Sequence, residues 1–151
     1  QDQDSPDNIF PLVQLYCFSG AYQSGYMYLT RDPGSATFRL ISFAMPRLDY
    51  DYTDENFTTL KGPPRLLGYT ASTDLTDPDY DPESRTISMH AKWRGIGDAW
   101  TSGVWKFVDG QFILEEFNVD PTYEDNSEAT ANGENRWSSW QVYPQIKQNP
   151  D

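Results

Sequence analysis

Apolar and polar residues alternate with a period of two along most of this chain. The run LVQLYCF (12–18) is nearly continuous and of strand length. GYMYLT (25–30) and ATFRLISF (36–43) follow, parted by Arg31, Asp32, Pro33 and Gly34. Proline presets φ there and glycine tolerates a positive φ, so the two segments read as a hairpin. TISMHAKW (86–93) alternates cleanly, with Ile87, Met89, Ala91 and Trp93 on one face and Thr86, Ser88, His90 and Lys92 on the other. VWKFV (104–108) passes through Asp109-Gly110, a strong hairpin signal, into QFILEEFNV (111–119), and RWSSWQVY (136–143) closes the series. No long stretch keeps a 3.6-residue period. About eight short strands set apart by Pro, Gly and Asp predict an all-β fold, a single antiparallel sandwich or small barrel.

Two polar stretches interrupt the strands. Residues 47–85 hold many acids and several prolines, too interrupted for a helix; a short strand around Arg65–Tyr69 is expected, and the rest reads as loop. Residues 120–135 form the second stretch. Both are expected as long acidic loops inside one domain, where added length costs little entropy. The expected organisation is a single β-domain over 9–144, with disordered tails at 1–8 and 145–151. The opening QDQDSPDN, without Met, reads as a mature or trimmed terminus.

Composition narrows the function classes. A chain of 151 residues suits one domain, with a core that buries roughly 70% of the unfolded surface. Hydrophobic residues make up only 37%, but aromatics reach 15% and carry the largest apolar area each. The net charge of -12 argues against a nucleic-acid partner and against anionic membrane. It favours cations or basic partners, and its plainest meaning is a solvated acidic surface. No run approaches the ~20 apolar residues of a membrane span. Cys17 is the only cysteine, so no intrachain disulfide forms. It lies in an apolar run, where a free cysteine is commonly buried and inert. His90 is the only histidine and falls on a polar strand face; no G-x-S-x-G elbow accompanies it. One His and one Cys leave no zinc site of the usual kind.

RGIGDAW (94–100) poses a sharper question. Gly95 and Gly97 supply G-x-G, but Trp100 stands where a dinucleotide fingerprint needs its third glycine, and a strand follows rather than a helix. A bend between strands is the better reading, with the glycines permitting unusual φ or close approach and Asp98 bonding amides of the turn. The same region, AKWRGIGDAWTSGVWKFVDGQFIL, resembles the bacterial family called domain of unknown function 1176. Arg94, Gly95, Gly97 and Asp98 match that family's Arg-Gly-x-Gly-Asp run, and Trp105, Gly110, Phe112 and Leu114 match the segment after it. YCFSGAYQSGYMYL (16–29) is similar to a second family segment through Cys17, Gly20, Ala21 and Tyr22. The resemblance spans about 15–145 and implies correspondence to the C-terminal half of a longer family member. It carries no assigned activity. The family's cysteine after Gly-Asp is replaced here by Ala99, and its second would fall near 120–126, where none occurs. Joint loss of the two is what a lost disulfide looks like, and it implies an extracytoplasmic ancestry, hence a periplasmic or secreted location.

Candidate binding residues follow from these patterns. Trp93 and Trp105 fall on core faces by parity, Trp137 and Trp140 have opposite parity so that one is more exposed, and Trp100 sits at the turn. Trp100, Arg94 and Asp98 there, with Tyr50, Tyr52 and Tyr80 in the acid-rich stretch, are the candidate contact residues, on a surface built from 47–56 and 74–84. Asp77, Asp79 and Asp81 recur at spacing two and are candidate calcium ligands, although the glycine and closing glutamate of an EF-hand are missing. No other cofactor is expected, and no catalytic constellation can be assembled. The expectation is a non-catalytic binding or structural module. The alternatives are a carbohydrate-binding module and an acidic inhibitor of a cationic cell-wall hydrolase, so a glycan or a basic protein is the expected partner class.

Overall fold

The alternating segments pair as antiparallel strands. The computed structural model describes residues 9–123 and 139–148. In chain order its strands are β1 (Leu12–Ser19), β2 (Ser24–Thr30), β3 (Arg39–Leu40), β4 (Phe43–Asp49), β5 (Arg65–Ser72), β6 (Asp74–Thr76), β7 (Asp79–Asp81), β8 (Thr86–Lys92), β9 (Trp100–Val108), β10 (Gln111–Asp120), β11 (Trp140–Tyr143) and β12 (Lys147–Gln148), with no helix among the described residues. A six-stranded sheet runs β12-β11-β10-β9-β8-β7. A second sheet centres on β2, which pairs with β1 along one edge and with β3 and β6 along the other. Strands β4 and β5 form a two-stranded sheet of their own. The all-β, sandwich-like antiparallel architecture is the one the alternation predicts.

One aromatic-rich core joins the sheets. Tyr28, Ile41, Phe43 and Leu75 from the smaller sheets and their connections meet Ile87, Trp105, Phe112, Leu114, Phe117 and Val119 of the large one. Phe43 is the hub: its ring lies 5.9 Å from Tyr28, 5.6 Å from Trp105 and 5.4 Å from Phe112. Each large side chain buried this way contributes about 1.5–3 kcal/mol. Trp105 is fully buried, and its Nε1 donates to the Ala44 carbonyl at 3.0 Å, pinning β9 to β4. The expected inward face of β8 is confirmed, with Ile87 and Met89 buried and Ala91 and Trp93 packed against the core, while His90 is exposed.

Turn chemistry acts where the sequence placed it. Ser35 N donates to the Asp32 carbonyl at 3.0 Å and Gly34 has φ 76°, a type II turn with Pro33 ahead of the glycine. Asp109 and Gly110 have φ 47° and 82°, the double left-handed conformation of a two-residue hairpin.

Several boundaries differ from the expectation. ATFRLISF is not one strand: it breaks after Leu40, and Ile41 turns into the core with its N–H on the Tyr28 carbonyl at 2.9 Å. Residues 47–85 are less loop than their polarity implies, since they carry β5, β6 and β7, and β5 runs on to Ser72. Edge and two-stranded pairings need only one apolar face or none, so acid-rich strands such as Asp79–Asp81 fit there. Cys17, expected to be buried, is exposed. Its strand β1 has a single neighbour, and a register shift between Tyr16 and Phe18 leaves Cys17 as the extra residue of a bulge. Beyond residue 144, Lys147–Gln148 pairs with Trp140–Gln141, so strand pairing continues into the segment expected as a tail. Residues 1–8, most of the second acidic stretch, and Trp137 lie outside the described residues.

Candidate functional site

Strands β8, β9 and β10 end together at one pole of the large sheet, and the turn 94–99 closes that pole. Trp93 N donates to the Ala99 carbonyl and Gly97 N to the Arg94 carbonyl, both at 2.9 Å. Gly97 has φ 72°, which explains the second glycine of the motif. Asp98, expected to take amides of the turn, is engaged by the Arg94 guanidinium: Nε lies 2.8 Å from Oδ1, and Nη2 contacts Oδ2. Asp98 is nearly fully buried. A neighbouring element holds the turn down. The Gln23 side chain donates to the Lys92 carbonyl at 2.9 Å and accepts from the Lys92 N–H at 2.5 Å, copying a strand-pairing contact with an amide side chain.

Beside this turn stands an ordered excursion from the end of β4. Thr53 N donates to the Thr59 carbonyl at 2.9 Å, and Lys61 N to the Asp51 carbonyl at 2.8 Å. The Asp54 carboxylate accepts from Thr58 N, Thr58 Oγ1 and Thr59 N. The Thr58 hydroxyl, with these amides, holds its pKa below the ordinary carboxylate value. At the tip, Phe57 adopts φ 60°, a conformation that costs a bulky side chain about 1–3 kcal/mol. The payment is structural: its carbonyl accepts from Tyr123 N at 2.9 Å, and its ring meets Tyr52 at 4.9 Å and Tyr123 at 5.9 Å.

The two elements, with Tyr123 just beyond β10, bring five rings together, one of them stacked by a cation. Tyr50 lies 5.6 Å from Trp93 and 6.2 Å from Tyr52; Trp93 lies 6.5 Å from Tyr123. The Arg94 guanidinium stacks 4.5 Å above the Tyr123 ring, a cation–π contact worth about 0.5–2 kcal/mol. Tyr52 Oη donates to the Pro121 carbonyl at 2.7 Å. Burial raises the Tyr52 pKa to about 12 and pushes Tyr50 higher still, so both rings are neutral hydroxyls. Phe57 remains 46% exposed and is the ring that faces solvent. Under the cluster, Asp120 is fully buried. Its Oδ1 accepts from Thr122 N and Oγ1 at 3.1 and 2.6 Å, while Oδ2 has no partner. Burial, with the nearby Asp98 as a lesser cause, raises its pKa against the lowering effect of Thr122.

Of the candidate residues, the structure brings Tyr50, Tyr52, Arg94 and Asp98 into this cluster. Trp100 is not in it: the residue opens β9 on the opposite sheet face, where its ring lies 5.3 Å from His90. Tyr80 sits on edge strand β7, which pairs with the far end of β8. Asp77, Asp79 and Asp81 are not gathered either. Asp77 Oδ1 accepts from Ser24 N at 2.8 Å, and Asp81 accepts from Glu83 N and Ser84 Oγ. Among the described residues, no three His, Cys, Asp or Glu side chains stand close enough to hold a metal ion. Sequence reasoning missed Phe57, Tyr123 and Gln23 and assigned Trp93 to the core alone. The tyrosine–acid alternation of DYDYTDENF does run on to Phe57, which was the available signal.

No described helix is long and apolar enough to cross a membrane. A family model described as "Protein of unknown function (DUF1176)" matches residues 7–126. No curated protein and no solved structure matches the chain.

Proposed function

For a chain that belongs to the domain of unknown function 1176 family, we propose a non-catalytic, extracytoplasmic binding module whose contact surface is the ring cluster at the 94–98 turn, with a glycan as its ligand. The observation that carries this reading is Phe57, an exposed aromatic side chain held at a costly positive φ by bonds from its neighbours. Backbone strain of this kind clusters at functional positions. Flat rings, the bound hydroxyl of Tyr52 and an arginine paired with Asp98 offer stacking area and hydrogen bonding without a free acid–base pair. The extracytoplasmic part rests on the absent cysteine pair. Residue 99 is a fully buried alanine, and strand pairing ends at Trp100 and Asp120, so position 99 adjoins the start of the loop in which the second family cysteine would fall.

A second reading, an acidic partner of a cationic protein such as a cell-wall hydrolase, draws on the net charge of -12 and on exposed Asp51 and Glu55 flanking the same rings. Titration with chitotetraose and cellotetraose separates the two. A glycan ligand shifts the fluorescence of Trp93, and Phe57→Ala weakens the response without lowering the melting temperature by more than a few degrees. A basic protein partner instead gives capture that falls steeply with salt. Absence of both responses overturns the binding-module reading.

A further inference from the structure

Strand β1 has a free edge and no charged residue to guard it. It pairs with β2 along one side and, among the described residues, with nothing along the other. Leu15, Tyr16 and Phe18 are 43%, 60% and 50% exposed. Neighbouring strand residues point to opposite faces, so both faces of this strand are uncovered. We propose that the edge pairs with β1 of a second copy of the chain, antiparallel and about a two-fold axis at Gln14, to form a closed dimer.

Charge and register together select a second copy as the occupant. At a net charge of -12, two copies repel wherever their acidic surfaces meet. Residues 8–30 contain no Asp, Glu, Lys, Arg or His, the longest such run in the sequence, and they include the whole β1–β2 hairpin. Edges that must stay single are ordinarily guarded by charged side chains, prolines or bulges. Here Pro11 and the bulge at Cys17 stand only at the two ends. Between them Leu12 to Tyr16 keep regular register against β2. That window is centred on Gln14, so an antiparallel copy fits it in one self-consistent register. Gln14 meets its own symmetry mate, Val13 meets Leu15 of the other copy, and Leu12 meets Tyr16. Amide then faces amide and apolar faces apolar. Cys17 falls opposite Pro11, whose missing N–H ends the ladder where the bulge does.

The contact is isologous and uses up β1 in both copies, so assembly closes at two. The paired window is short for a specific interface, so dissociation falls at about 10–100 µM rather than nanomolar. The ring cluster stays open in this dimer. The β1–β2 turn reaches it through Gln23, and antiparallel pairing sends the two turns in opposite directions. Two copies of the cluster then stand roughly 40 Å apart, a bivalent arrangement that gains avidity for a repeating ligand. The dimer itself does not depend on what the cluster binds.

Sedimentation velocity of the whole chain is expected to show monomer giving way to dimer between about 1 µM and 1 mM, with nothing larger. Added salt tightens the dimer, because it screens repulsion between the acidic copies and breaks no ion pair in the contact. Gln14→Glu and Gln14→Lys each set like charges opposite one another on the axis and weaken self-association by about threefold or more, and an equimolar mixture of the two restores it. Gln14 is exposed, so both variants keep the wild-type melting temperature at low concentration, where every chain is a monomer. A nitroxide on Cys17, the only cysteine, gives a single inter-label distance of roughly 20–30 Å by pulsed EPR. The proposal is overturned by a monomer throughout this range, by assembly beyond two, by a dimer that salt weakens, or by a distance outside that range. Variants that self-associate like wild type, or a mixture that fails to restore the dimer, overturn it equally. Glycan titration of the monomer reads the ring cluster separately, so either reading can fail without the other.

Discussion

Two glycines in this fold meet the same geometric problem with opposite expected outcomes. A Cβ built on Gly103 would lie 2.4 Å from the far edge of the Trp105 ring, and one on Gly25 would lie 2.3 Å from the ring of Phe18. Neither contact can exist as drawn, so an alanine at either position forces a ring to move. Trp105 has nowhere to go. It is fully buried, tied to Ala44 through Nε1, and packed edge-on against Phe43 and Phe117. Phe18 is half exposed on an edge strand and can swing into solvent. Overpacking a fixed core costs about 1–3 kcal/mol, which for a chain of this size lowers the melting temperature by roughly 2–4 °C per kcal/mol. Gly103→Ala is therefore expected to cost about 2 kcal/mol, or roughly 4–8 °C. At position 25 alanine recovers about 0.4–1 kcal/mol of unfolded-state entropy and displaces only a mobile ring, so Gly25→Ala is expected to stay within about 0.5 kcal/mol of wild type. Urea unfolding followed by tryptophan fluorescence measures both. Equal destabilisation of the two variants, or a neutral Gly103→Ala, would refute the argument that the freedom of the struck ring decides the cost.

Three further outcomes follow from the site geometry. Asp120 has a raised pKa in the folded state, so its favourable contribution is present below the ordinary carboxylate value and lost as pH rises through the raised one. Asp120→Asn keeps an acceptor for Thr122 and removes the buried charge; it is expected to melt higher than wild type at pH 8, with the gap closing towards pH 4, and a pH-independent difference would sink the assignment. Gln23→Ala strips two hydrogen bonds from the Lys92 backbone and is expected to cost about 1–2 kcal/mol, with faster amide exchange at Lys92 and Trp93; exchange unchanged there would show that the bridge does not hold the turn. Arg94→Met leaves Asp98 buried beside Asp120 without its guanidinium and is expected to destabilise by about 2–4 kcal/mol at neutral pH, less than a fully buried pair because Arg94 is partly exposed. Acidification should recover part of that loss, and thermal melts that show no recovery would argue against an uncompensated charge as the cause.

Much of the scaffold was legible because its signals are local. Strict alternation in TISMHAKW, proline with glycine at 33–34 and the Asp-Gly pair at 109–110 each constrain a few consecutive residues, and the structure uses all three as expected. Core membership of Trp105 was equally readable from parity. What escaped depends on which strand lies beside which. LVQLYCF has the composition of a buried strand, but it stands at a sheet edge with one neighbour, and that placement exposes Leu15, Tyr16, Cys17 and Phe18. The acid-rich segment fails in the reverse direction: edge pairing tolerates Asp79 and Asp81, so polarity alone mistook strand for loop.

The site was half legible for the same reason. Arg94 and Asp98 lie within one turn, and Tyr50 and Tyr52 within one loop, so the sequence could nominate each pair. Only the folded sheet brings residue 123 beside residues 57 and 94, and only there does Tyr123 link the two pairs: its N–H fixes Phe57 while its ring receives Arg94. Trp100 fails as a site residue because the turn delivers its ring to His90, away from the Tyr50–Trp93–Tyr123 rings. The ring cluster is thus a consequence of where β10 ends. Shifting that strand by one residue against β9 would carry Asp120 and Tyr123 to the wrong faces, leave Phe57 without the bond that offsets its strain, and dissolve the cluster while preserving every local motif that predicted it.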